Sequence, residues 1–247
     1  MSRREERRRL VISKILNRLL RRHEMSRIPL NHKPTLLLRI AEIYSKRRYG
    51  AVLEPGLALL HNRKVLTAMI AHENRVGRWD ALDPTVKAVA VLAAAAEIGC
   101  DWCLDFGFWE SVNRGVEPVK LREITNWQQS TVYSERERTA ISYAVAMTQT
   151  PPEVTDDMVA ELRRRFSDAE VVELTAMIAL ENQRSRTNTA LGLKSQGFRN
   201  HCDLPESSVA NRPRSASSDV STKVGLKPVP FDKLWAHDPL KRSDYGS

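Results

Sequence analysis

The stretch "DPTVKAVAVLAAAAEIGCDWCLDFG", residues 83–107, decides how the chain is read. Asp83 followed by Pro84 is a helix N-cap with proline at the first helical position. The run that follows, "AVAVLAAAA" at 88–96, is too short to cross a bilayer. Gly99 permits a break, which puts Cys100 and Cys103 in the first turn of a new helix. Positions i and i+3 share a helix face with Cβ atoms about 5–6 Å apart, so the thiols can approach disulfide distance. Three readings stand at this point: a redox pair, half of a metal site, or two small core residues.

Outward from this stretch the pattern is helix after helix. Ser134 with Glu137, and Ser167 with Glu170, have the spacing of capping boxes ahead of apolar runs. No alternation of strand type appears, alanine and leucine are plentiful, and aromatics make up 6% of the chain. The fold class is all-α, a multi-helix bundle. A shift of 85 residues lays 83–107 over "DAEVVELTAMIALENQRSRTNTALG" at 168–192, with few identities but a shared apolar stripe. This points to an internal helical duplication, and two similar amphipathic helices account for it equally well. Under the shift, Ser185 and Asn188 stand where Cys100 and Cys103 do.

The chain carries a net charge of +9, unevenly spread: residues 1–48 hold +11, 49–204 hold −4 and 205–247 hold +2. The basic character belongs to the ends, which argues against nucleic acid as a partner of the body. Three segments follow. Residues 1–24 form a basic amphipathic extension, read as a membrane-surface or nucleic-acid arm, an extra packed helix, or sequence upstream of a start at Met25. Residues 25–200 form the helical domain. Residues 201–247 form a polar tail in which "PVPFDKLWAHDPL" is apolar enough to dock. No membrane span or signal peptide is expected, and the protein is read as cytoplasmic. In a reducing compartment a close cysteine pair is a reactive one.

A thiol in the first turn of a helix feels unsatisfied N–H groups and the positive end of the helix dipole, both of which favour thiolate. Zinc fares poorly, because Cys202 beside His201 is the remaining Cys and adjacent ligands of that kind fit a tetrahedral site badly. No cofactor or metal is expected. The dithiol reading leads, without naming a reaction.

The stretch "LAAAAEIGCDWCLDFGFWES", with "RWDALDPTVKA" before it, "GVEPVKLREITNW" after it and "ALENQRSRTNTALGLKSQGF" near 180–198, resembles the carboxymuconolactone decarboxylase-like superfamily. Its cysteine pair resembles the alkyl hydroperoxidase D-like branch. The resemblance covers about residues 27–200. It implies an all-α, homo-oligomeric antioxidant enzyme with peroxiredoxin-like activity on a small peroxide or disulfide. Cys103 would attack the peroxide, and Cys100 would resolve the sulfenic acid into a disulfide that an external dithiol reduces.

The branch motif reads Glu-x11-Cys-x-His-Cys-x3-His, and this chain has Ala88, Trp102 and Gly107 at the three proton-relay positions. Peroxide cleavage needs a thiolate and a protonated leaving oxygen, so the missing relay should cost rate unless other groups substitute for it. The candidates are Glu97, one turn before Cys100; Asp105, two residues after Cys103; and His72 with Glu73 in "MIAHENRVGRW". Trp102, Phe106, Phe108 and Trp109 either pack as core or wall an apolar pocket. The alternatives are a thiol-independent decarboxylase or lactone-processing enzyme on the same scaffold, and a non-catalytic binding protein that uses the basic arm.

Overall fold

The structure, a computed structural model, describes residues 26–202. The expected basic helix over 1–24 lies outside the described residues. So does the tail beyond Cys202, with its docking segment. Among the described residues there are nine α-helices and no strand, as an all-α chain requires. They are α1 (Leu36–Tyr49), α2 (Glu54–Leu59), α3 (Arg63–Val76), α4 (Pro84–Ile98), α5 (Asp101–Asn113), α6 (Pro118–Arg122), α7 (Glu135–Thr148), α8 (Asp156–Arg165) and α9 (Asp168–Ala190), with short 3-10 turns at Glu123–Asn126 and Arg199–His201. None of these helices is long and apolar enough to cross a membrane.

Local chemistry sets the boundaries. Asp83 Oδ1 accepts from the backbone N–H groups of Thr85 at 2.8 Å and Val86 at 3.1 Å, and starts α4. Both capping boxes form, Ser134 with Glu137 on α7 and Ser167 with Glu170 on α9. At the other end of α4, Gly99 takes a left-handed conformation at φ 73°, which ends one helix and aims the chain into the next.

Helix α4 is the hub, packed by α5, α7 and α9. Val86, Val89, Ala90, Leu92, Ala93 and Ala94 are buried around most of its circumference. That explains why its sequence is apolar without a clean stripe. Burial of each valine or leucine side chain contributes roughly 1.5–3 kcal/mol, and the small alanines let neighbouring helices approach closely.

A second apolar cluster joins the α4–α5 corner to the chain ends of the described region. It contains Leu30, Ala58, Ala95, Cys100, Trp102, Cys103, Leu193 and Phe198. Trp102 stacks on Phe106 at 4.9 Å, while Phe106 and Trp109 meet Phe198 at 5.3 and 5.8 Å. Trp102 Nε1 donates to Gln196 Oε1 at 2.8 Å, and Gln196 Nε2 donates to the Val52 carbonyl at 2.8 Å. Trp102, Phe106 and Trp109 thus pack chiefly on one another and on the 193–198 segment. Phe108 lies in the main core.

Candidate functional site

Cys100 is the N-cap of α5 and Cys103 its third residue. Their sulfurs form a disulfide with the Cα atoms 5.3 Å apart. The Cys103 backbone N–H donates to Cys100 Sγ at 3.3 Å. A sulfur in this place substitutes for the usual capping oxygen, because the first N–H groups of the helix have no carbonyl behind them. Both cysteines are buried, Cys100 at 1% exposure and Cys103 at 7%. Cys202 lies outside the disulfide, at the edge of the main core. Among the described residues no three His, Cys, Asp or Glu side chains gather as a metal ion requires.

The side chain that reaches a sulfur of the pair comes from far along the chain. Asn188 of α9 donates from Nδ2 to Cys103 Sγ at 3.4 Å. Cys103 and Asn188 are the two positions that the 85-residue shift superposes, so equivalent points of the faint repeat face each other. A hydrogen bond from a neutral amide favours the charged form of a reduced Cys103. Asn188 stands at the end of a buried polar strip on α9 that also holds Glu181 and Ser185. Ser185 Oγ donates to Glu181 Oε1 at 2.6 Å.

The expected proton-handling residues are placed differently. Asp105 is buried and accepts three backbone N–H bonds, from Gly197 at 2.7 Å, Phe198 at 3.0 Å and Arg199 at 2.8 Å. Its carboxylate holds the 197–199 segment, with no bond to a sulfur. Glu97 is exposed and accepts from Gln149 Nε2 at 2.7 Å. His72 is exposed, with its ring edge-on to Trp79 at 6.3 Å. Glu73 is half-exposed and pairs with Arg184, whose Nε lies 2.7 Å from Glu73 Oε1.

Two of the positions where the branch motif has its relay lie against the main core. Ala88 packs on the main core. A Cβ at Gly107 would lie 2.9 Å from Leu92 Cδ2, closer than a carbon contact allows, so a histidine there would push into the hub of the fold. Sequence reasoning did not reach Glu181 or Arg184. The one sequence signal for Asn188 and Ser185 was their register with the cysteines.

Burial pushes Glu181 up to about 7, with the nearby Glu73 charge adding to the effect, while Arg184 and the Ser185 hydroxyl pull the other way. Arg184 relieves it only partly, because its closest partner is Glu73 and its Nη1 stands 3.4 Å from Glu181. Burial alone would lower the Arg184 pKa, yet the Glu73 pairing holds it above its ordinary value. The raised Glu181 value has a consequence for stability. Between the ordinary carboxyl value of 4.5 and about 7 the folded chain keeps a proton that the unfolded chain has released. The contribution of Glu181 is therefore fully present below pH 4.5 and is lost as pH rises from there through 7, by about 3 kcal/mol. Glu181→Gln cannot ionise, so its urea midpoint should change less between pH 5 and 8 and exceed that of the wild type at pH 8. A Gln variant that declines in parallel with the wild type would assign the pH dependence to other groups.

These features define an all-helical protein with a cysteine pair at a helix N-terminus, set in a buried apolar cluster. The chain belongs to the carboxymuconolactone decarboxylase family, which residues 63–146, α3 to most of α7, match. Over 184 residues it is 32% identical to the uncharacterized protein YnjA of Escherichia coli, a match that covers 74% of this chain and 96% of YnjA. The fold is shared with the alkylhydroperoxidase AhpD core of an uncharacterized peroxidase-related protein from Ralstonia eutropha. That superposition has a TM-score of 0.62 at 18% identity over 71% of this chain and 95% of the other. The debrominase Bmp8 superposes with a TM-score of 0.59 at 19% identity, over 67% of this chain and 89% of its own. At such identities the likeness is one of fold, and the scaffold serves varied chemistry.

Proposed function

We propose that this protein is a cysteine-pair oxidoreductase that reduces a small organic hydroperoxide, with Cys103 attacking and Cys100 resolving. The observation that carries the reading is the Cys100–Cys103 disulfide at the N-terminus of α5, with Asn188 on the Cys103 sulfur. The Cys103 thiolate attacks the distal peroxide oxygen, the O–O bond breaks, and the leaving alkoxide takes a proton to become the alcohol. Cys103 is then a sulfenic acid. Cys100 displaces its hydroxyl as water and the disulfide forms. An external dithiol returns both sulfurs to thiols and is itself oxidised to a disulfide. The same pair would serve disulfide exchange if a disulfide replaced the peroxide. The reaction suits a reducing, cytoplasmic setting in which such a dithiol is available, with the protein acting as a homo-oligomer.

The test is thiol counting with intact-mass analysis on fully reduced protein, before and after one equivalent of cumene hydroperoxide. The expected result is rapid loss of about 2 Da and of two thiols, with Cys100 linked to Cys103. Ala88, Trp102 and Gly107 at the relay positions favour one rival, thiol-independent chemistry on a carbon acid. Thiols that stay reduced toward both the peroxide and a disulfide reagent, with an activity that survives alkylation, would establish that rival.

A further inference from the structure

Glu181, Ser185 and Asn188 occupy one face of α9 at helical spacings of four and three. All three are buried, and Ser185 has 0% exposure. Polar side chains in such surroundings cost stability unless they are partnered. Here the partners run in a direction: Ser185 Oγ to Glu181 Oε1 at 2.6 Å, and Asn188 Nδ2 to Cys103 Sγ at 3.4 Å. Ser185 and Asn188 stand one helical turn apart, so the carboxyl–hydroxyl pair lies one turn from the residue that touches the sulfur. The strip belongs to α9, whereas the relay positions of the branch motif, here Ala88, Trp102 and Gly107, lie on α4 and α5.

We propose that Glu181 is the proton store of the cysteine pair, taking a proton when Cys103 becomes thiolate and returning it, through the Ser185 hydroxyl, to the alkoxide leaving group. This rests on the peroxide-reducing reading given above. Asn188 is the positioning residue that holds the sulfur at the end of the strip. When the external dithiol has reduced the disulfide, the Cys103 thiol proton passes to the Glu181 carboxylate, giving thiolate and carboxylic acid. When the O–O bond breaks, the acid gives that proton to the alkoxide and is a carboxylate again. The Cys100 thiol proton leaves in the water formed with the disulfide, so one cycle consumes a hydroperoxide and a dithiol and yields an alcohol, water and a disulfide.

Both forms of Glu181 are present near neutrality, as a group that accepts and donates in turn requires. The charged groups that act on it are Arg184 on its own helix and Glu73 of α3, which pairs with that guanidinium, while Glu110 of α5 acts on Arg184. Farther along α9, Lys87 of α4 pairs with Glu173 and Arg136 of α7 with Glu170.

The experiment compares wild type, Glu181→Gln and Ser185→Ala, each checked for a native melting transition, in two rate measurements on reduced protein across pH 5–9. One is oxidation by cumene hydroperoxide. The other is alkylation of Cys103 by iodoacetamide, which needs the thiolate and no proton for a leaving alcohol. Wild type should show an inflection near 7 in both profiles. Glu181→Gln should lose that inflection and slow peroxide oxidation by about 100-fold, and Ser185→Ala, which leaves the carboxyl in place, should do the same to a smaller degree. An unchanged inflection in both variants overturns the proposal. A wild type inert to peroxide but with an alkylation inflection that Glu181→Gln removes would overturn the peroxide reading and support the proton store.

Discussion

Cys103→Ser is expected to lower peroxide turnover by about 10³-fold or more, since it removes the attacking atom. Cys100→Ser should behave differently. Its first peroxide reduction should proceed within about 10-fold of the wild-type rate, after which the protein stalls with a gain of about 16 Da on Cys103, the mass of a sulfenic acid. The asymmetry is what assigns the roles, and the geometry leaves a real contest. Cys100 is the N-cap and receives a backbone N–H on its sulfur, an arrangement that itself favours thiolate. Cys103 has the Asn188 amide and is the more exposed of two buried residues. A substrate must reach the sulfur before its ionisation matters, so access together with the Asn188 contact favours Cys103. Single-turnover mass spectrometry on the two variants decides it. A stable 16 Da adduct on Cys100 in Cys103→Ser, with Cys100→Ser inert, would reverse the assignment.

The parts of the fold that were legible in the sequence are the ones written locally. Asp83-Pro84, Ser134 with Glu137, and Ser167 with Glu170 announce helix starts because a cap satisfies backbone donors within three residues of itself. The same is true of the break at Gly99 and of the placing of Cys100 in a new first turn. The groups around the sulfurs were not legible, because what matters there is approach across long sequence separations. Asn188 meets Cys103 from 85 residues away, and Arg184 meets Glu73 from 111. Glu97 and Asp105 stand near the pair in sequence, yet their partners are Gln149 and the 197–199 backbone. Glu181 reads in sequence as one more charged residue on a long helix. Its burial, and hence its raised pKa, follows from which face of α9 turns inward.

Asp105 carries the largest expected effect on stability. Its Oδ2 accepts from the N–H groups of Gly197 and Phe198 and its Oδ1 from Arg199, so one buried carboxylate satisfies the start of the 3-10 turn that follows. Hydrogen bonds to a charged group contribute about 1.5–3 kcal/mol each, and a buried donor left without a partner costs about 1–3 kcal/mol. Asp105→Ala should therefore destabilise the protein by about 3–5 kcal/mol, within the range for a broken buried network. Asp105→Asn tests the charge without changing the shape. One of its two terminal atoms must be an NH2 group, which would face a backbone N–H, donor against donor, so it should still lose about 2 kcal/mol or more. The damage should be local at first. The 197–199 segment carries Phe198, which packs on Trp102, Phe106 and Trp109, and Arg199, whose guanidinium lies 4.7 Å over the Phe108 ring. Tryptophan fluorescence should then change below the main urea transition, and reduced Cys103 should alkylate faster as its cover loosens. An Asp105→Asn variant with a urea midpoint and alkylation rate equal to wild type would mean that the 197–199 segment is held by its aromatic packing instead.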